Sequence, residues 1–294
     1  MAHTFTVQFR APLDIPASLE VFRRAGDDGL DRWDGHTLVR TARVGDEVVP
    51  FTGTVRGTVD APALEVTVEH AVHAMAVEHT VRAMFVTAPD PLTELTAVDR
   101  VIARLEARYA GLRPVLQSDL LTALIRAISA QQVNLRWATI TRRRLAEAFG
   151  HQHTLGTHQV FSLDTARLAA ADVTALRALQ FTTRKAEYIV ALATAVATGR
   201  LDLAALRHQP DAAVIACLTA CRGLGRWTAE WFLARALGRP RVVAGDLGVR
   251  KAVGAAYLNG RLPSEAEVRE LTSHWGAAAG VAQQLLLHAL SQGL

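Results

Sequence analysis

Cysteine and lysine are scarce in this chain, aromatic residues are few, and long apolar runs are missing. The two cysteines, Cys217 and Cys221, stand four residues apart with no second pair. That excludes a zinc or iron-sulfur site built on thiolates, and a disulfide framework with it. They read as buried thiols on one helix. No stretch reaches the ~18 apolar residues of a membrane span, and Met1 to Arg10 has no apolar core flanked by basic residues. The expectation is a cytoplasmic protein with no membrane association. Lysine occurs only at Lys185 and Lys251, so few amines are available for covalent chemistry and arginine carries the net charge of +4. The planar guanidinium suits phosphate, but arginine and alanine richness equally reflects base composition, and charge alone identifies no DNA-binding protein.

What is present is the balance of a folded chain. Half of the 294 residues are apolar and a fifth are charged, which sets one or two packed domains as the expectation. Phe5, Val7 and Phe9 alternate with polar partners at the period of a half-buried strand, and similar alternation recurs over 38–44, 49–55 and 64–68. Helix-like runs fall at 18–24 and 78–85. Ala88-Pro-Asp-Pro91 then breaks the chain. Beyond it the pattern is helical almost throughout, as in 119–149, 172–198 and 264–274, with short stops at Gly111, Gly150, Gly199, Gly238 and Pro263. The predicted fold class is α+β, with a small N-terminal mixed domain of antiparallel sheet and helices over 1–88 and a helical domain over 89–294. The Arg142-Arg-Arg144 run reads as a solvated helix face, or as a phosphate contact.

The segment Leu218-Thr-Ala-Cys-Arg-Gly-Leu-Gly-Arg-Trp-Thr-Ala-Glu-Trp-Phe232 predicts a helical hairpin: one helix ends near Arg222, Gly223-Leu-Gly225 turns, and a second helix opens at Arg226. Two glycines around an apolar residue let the backbone approach a ligand, and the unpaired first N–H groups of the second helix attract phosphate. Leu224 is expected to tuck into the core, with Thr228 adding a hydroxyl contact. Taken alone, the turn reads first as an ordinary corner between helices. A second feature follows at a fixed distance: Arg241-Val-Val-Ala-Gly-Asp246-Leu-Gly-Val-Arg-Lys251, after one helix and a Gly238-Arg-Pro240 stop. By residue type Asp246 is a helix N-cap; its place after the hairpin also suits a catalytic carboxylate.

With these motifs in this order, the chain resembles the helix-hairpin-helix DNA glycosylases, and among them the bacterial 3-methyladenine DNA glycosylase II branch. Ala127-Ile-Ser-Ala-Gln-Gln-Val133 and Ala178-Leu-Gln-Phe-Thr-Thr-Arg-Lys-Ala-Glu187 carry the likeness as well. The resemblance implies a hydrolase acting on double-stranded DNA with an alkylated base, nucleoid-associated, in base excision repair. It implies a hairpin motif near 218–232, a catalytic loop near 241–248, and Asp246 as the carboxylate that stabilises positive charge on the sugar. Trp227 and Trp231, at i and i+4, would stack on a flipped cationic base, or pack in the core. Phe22 is a further pocket candidate by loose alignment. Gln132 aligns with the wedge that fills the gap left by the base, and Gln131 with its structural neighbour; both also read as capping or buried glutamines. Gly223, Gly225, Arg226 and Thr228 would hold DNA. Relatives that nick the strand carry a lysine where Trp227 stands, so a monofunctional enzyme leaving an abasic site is implied. No cofactor, metal ligand set or obligate protein partner is implied beyond a monovalent cation at the hairpin. A pocket tryptophan of similar enzymes is replaced by Leu287 or Leu290. The alternative is a non-catalytic DNA-binding module that uses the hairpin as a phosphate clamp.

Overall fold

The computed structural model describes residues 2–87 and 92–293. The predicted break at Ala88–Pro91, and with it the expected boundary, lies outside the described residues. Before it, β1 (His3–Gln8), α1 (Ile15–Leu19), β2 (Arg32–Trp33), β3 (Thr37–Val44), β4 (Glu47–Thr58), β5 (Ala61–Val68) and α2 (Ala74–Arg82) follow in order. The strands form one antiparallel sheet ordered β1-β5-β4-β3-β2. Alternation explains it: Val7, Leu38, Leu64, Val66 and Val68 all turn to one core with Leu19 of α1 and Val77 and Val81 of α2.

After the break come α3 (Thr93–Val98), α4 (Arg100–Arg108), α5 (Leu120–Ala130) and α6 (Leu135–Phe149). The hairpin β6 (Gly150–Leu155) and β7 (His158–Leu163) follows, then α7 (Thr165–Ala169), α8 (Val173–Ala178) and α9 (Thr183–Ala197). The chain closes with α10 (Asp211–Thr219), α11 (Arg226–Arg235), α12 (Leu247–Tyr257), α13 (Glu265–Leu271) and α14 (Ala279–Ser291). One apolar core gathers α5, α9, α10 and α11; another gathers α3, α4, α12 and α14. None of the described helices is long and apolar enough to cross a membrane.

Three features depart from the sequence reading. The 119–149 helix is two helices, because Gln132 adopts a left-handed φ of 54° and Asn134 caps α6 through the Trp137 amide. Residues 150–163 form a strand pair, not helix: Gly156 turns at φ 59°, and Leu155, Val160 and Leu163 bury between the sheet and α6. Arg142 is no solvated residue. It lies inside an ionic cluster, its Nε 2.9 Å from Asp28, while Arg126 meets Asp28 at 2.9 Å and Asp31 at 2.8 Å and Arg40 bonds Asp31. Burial would raise the Asp28 carboxyl, but Arg126 and Arg142 bring it below the ordinary range. The cluster joins the strand-bearing segment to α5 and α6.

Candidate functional site

The hairpin forms as its glycines require. Gly223 takes φ 90°, and a Cβ there would stand 2.2 Å from the Tyr188 ring of α9. Leu224 buries behind it. Gly225 is the N-cap of α11, with open space where its Cβ would be, so a ligand can reach the main chain there. Its position leaves the first amides of α11 facing outward beside the exposed Arg226. Arg226 is held at 3.0 Å by Glu230, a carboxylate only 1% exposed that also meets Arg269 of α13 at 2.8 Å and Arg241 at 3.8 Å. One buried acid thus ties the hairpin helix to the loop that leads to Asp246.

Asp246 is half-buried at the head of α12. Its Oδ1 accepts the Val249 amide at 3.0 Å, which is the capping bond; its Oδ2 accepts Trp227 Nε1, also at 3.0 Å. Capping and orientation by the hairpin therefore occur together. Gly248 leaves room for this, since a Cβ there would lie 3.0 Å from Oδ1. The loop is fixed from behind by Gln283 of α14, whose side-chain oxygen accepts the Val243 amide at 2.7 Å. Burial pushes the Arg235 guanidinium down to about 10, against the pull of the Asp246 charge, so a cation stands in the field of this carboxylate.

Other predicted residues divide. Trp227 stands at Asp246, while Trp231 is half-buried against the helical core. Gln132 is exposed, and Gln131 donates its side-chain amide to the Gly223 carbonyl at 3.0 Å, joining the α5 end to the hairpin. Lys185 braces the same turn from inside, its Nζ 2.8 Å from the Ser129 carbonyl. Phe22 is 7% exposed in the N-terminal core, with Arg40 and Arg126 over its ring at 5.1 and 5.8 Å. Thr228 is likewise buried, which removes the hydroxyl contact expected of it. Of the two leucines, Leu287 adjoins the Asp246 turn, 3.4 Å from where a Gly248 Cβ would lie; Leu290 packs on the C-terminal core.

Sequence reasoning missed Glu230, Gln283 and Arg235. The signal for Glu230 was an acid set among Trp227, Ala229, Trp231 and Phe232 of α11; for Gln283 there was none. Both cysteines are half-buried, and burial and the neighbouring Cys217 push the Cys221 thiol up. A cavity of about 800 Å³ lies between the sheet and the start of α5, and none of the predicted site residues lines it. No group of three or more His, Cys, Asp or Glu among the described residues could hold a metal ion.

Known proteins were compared with this geometry. A putative DNA-3-methyladenine glycosylase of Bacillus subtilis (strain 168) is 31% identical over 168 residues, 57% of this chain and 58% of the relative. A DNA-3-methyladenine glycosylase of the same organism is 27% identical over 187 residues, 63% of this chain and 62% of the relative. The chain thus spans less than two thirds of the length of these relatives. The solved 3-methyladenine DNA glycosylase from Archaeoglobus fulgidus matches with a TM-score of 0.87, at 22% identity and 99% coverage of both chains, which fixes the fold. The profile of HhH-GPD superfamily base excision DNA repair proteins matches residues 125–277, more than half of the chain. The hairpin and the Asp246 loop lie in that span, with Gln283 of α14 just beyond it, and the chain belongs to the HhH-GPD superfamily.

Proposed function

We propose that the protein is a monofunctional DNA glycosylase that hydrolyses the N-glycosidic bond of alkylated bases of the 3-methyladenine type in base excision repair. The observation that carries this reading is Asp246, half-buried and held by Trp227 Nε1 and the Val249 amide beside a hairpin whose Gly225 is open to a ligand. Arg226 and the first amides of α11 take a phosphate of double-stranded DNA. Gln132 fills the gap left when the base swings out, and Trp227 and Trp231 offer ring faces to the cationic base.

An alkylated purine already bears positive charge. When the C1′–N bond breaks, the electron pair moves to the base and neutralises it, so no general acid is required. Positive charge then develops on the sugar, where the Asp246 carboxylate stabilises it and orients the water whose oxygen bonds to C1′, its proton passing to solvent. Two fixed donors cost the carboxylate no reorganisation as this charge appears. The hydrolytic course follows from Trp227 on the hairpin and from the engagement of Lys185 with Ser129. A monovalent cation at the hairpin would take main-chain oxygens such as that of Leu224, which accepts no backbone hydrogen bond among the described residues. Bound there, it would add positive charge facing phosphate.

Asp246→Asn tests the assignment. Release of 3-methyladenine from methylated duplex should fall by at least about 100-fold, while duplex binding persists. Equal release by both proteins would remove Asp246 from the chemistry. Binding with no release by the wild type is the behaviour of a non-catalytic clamp.

A further inference from the structure

We infer that the stripe Trp137–Ile140–Arg144 on α6, its first two residues exposed and its third half-buried, receives the undamaged strand of the duplex, with Trp137 stacking on the base left unpaired when its partner is extruded. The inference rests on the glycosylase reading above. Positions 137, 140 and 144 lie at i, i+3 and i+7 and so share one face. Trp137 is 38% exposed and Ile140 37%, whereas the packing face of α6 is Ala138, Thr139, Leu145 and Ala146. The stripe is therefore surplus to the helix's own packing, and an exposed indole needs another account.

Charge names the occupant. The Arg144 guanidinium lies 5.8 Å from the centre of the Trp137 ring and bonds the Gln180 side chain, a neutral partner, so its charge is not cancelled. Arg136 is exposed next to it. An aromatic plane with an uncancelled guanidinium over one face, beside the exposed Arg136, matches a base on a phosphate backbone better than it matches lipid or an apolar protein surface.

Position names the strand. The stripe begins five residues after Gln132, whose left-handed φ of 54° and exposure set it at the tip of the turn between α5 and α6. The α5 side of that turn is joined to the hairpin through Gln131 and Gly223, where the damaged strand is held. Trp137 stands on the α6 side, which leaves it the other strand. Leu135, 62% exposed, lies about 200° around the helix from Trp137 and belongs to the opposite flank.

The test compares two duplexes, one with an abasic-site analogue opposite thymine and one with the analogue opposite a second analogue, so that the unpaired base is missing. W137A should bind the first about tenfold more weakly than the wild type, and W137F, which keeps a ring, within about threefold. On the second duplex the three proteins should agree within about twofold. Equal binding of wild type and W137A to the first duplex, or the same loss on both, overturns the inference. Release of 3-methyladenine by the wild type separates the two readings: absent release sinks the glycosylase assignment, whereas normal release with indifferent W137A binding sinks only the role of Trp137.

Discussion

A single methyl group placed at residue 248 reaches Asp246. Gly248 lies in the first turn of α12, where a Cβ would press on Asp246 Oδ1 at 3.0 Å and on Leu287 at 3.4 Å. Alanine is the better helix former by about 1 kcal/mol, so Gly248→Ala should leave the melting temperature unchanged or raised. The carboxylate must move to admit it, and misplacement of a reacting group by ~1 Å costs up to about 100-fold in rate. Single-turnover excision should therefore slow by tenfold or more while thermal stability holds; an unchanged rate would mean that Asp246 tolerates displacement. At this scale the sequence announced Asp246 through its distance from the hairpin. It did not announce Trp227 Nε1 as the donor, since the indole read as a pocket wall and its N–H direction depends on how α11 and α12 meet. Phe22 shows the converse, an aromatic whose type suited a pocket and whose ring the fold spends on two buried guanidiniums.

Among the elements, the hairpin is the one whose geometry tolerates least. Gly223 combines φ 90° with a Tyr188 ring 2.2 Å from any Cβ, so Gly223→Ala strains the backbone and displaces α9 at once. Urea denaturation should show a loss of about 1–3 kcal/mol, and duplex binding should weaken as the outward amides of α11 shift. Full stability in this variant would mean that the turn has another conformation open to it. The hairpin was legible only together with the Asp246 segment at a fixed distance beyond it, since the Gly223-Leu-Gly225 turn alone is also an ordinary corner between helices. The strands of the N-terminal sheet were legible from their period of two. The β6–β7 pair was not, since its burial comes from contacts with the sheet and α6, far along the chain, rather than from a strong local pattern. The break before α6 was hidden too, because apolar residues continue across it and only the backbone of Gln132 reverses.

In the molecule as a whole, buried acids set the response to pH. Asp28 and Asp99 are both held below the ordinary carboxylate range. Burial opposes this in each; Arg126 and Arg142 overcome it at Asp28, and the Tyr257, His274 and backbone donors overcome it at Asp99. For such groups the unfolded chain binds the proton more readily than the native one, so their contribution is present above pH ~4 and is lost as pH falls through the lowered values. The urea midpoint should decline gently as pH falls from about 7 to 5, where unfolding lets His153 and His288, held below the ordinary imidazole value by burial, take up protons, and fall steeply below 4. Asp28→Asn should cost about 3 kcal/mol at neutral pH and make the acid fall shallower; a wild-type acid slope in that variant would place the titration elsewhere.

The same Asp28 cluster bounds how far the protein can be pared down. Arg126 and Arg142 sit inside the span that marks the superfamily, while the acids that neutralise them, Asp28 and Asp31, come from well before it. Arg142 in turn donates to Ser129 Oγ at 2.9 Å, at the end of α5 that leads into Gln131 and Gln132. A fragment cut to residues 125–277 would keep every residue proposed to touch the damaged base, yet strand two guanidiniums among apolar helices without counter-charge. The unit that carries the proposed chemistry is thus larger than its recognisable signature, because Asp28 and Asp31, which come before it, neutralise guanidiniums that lie within it.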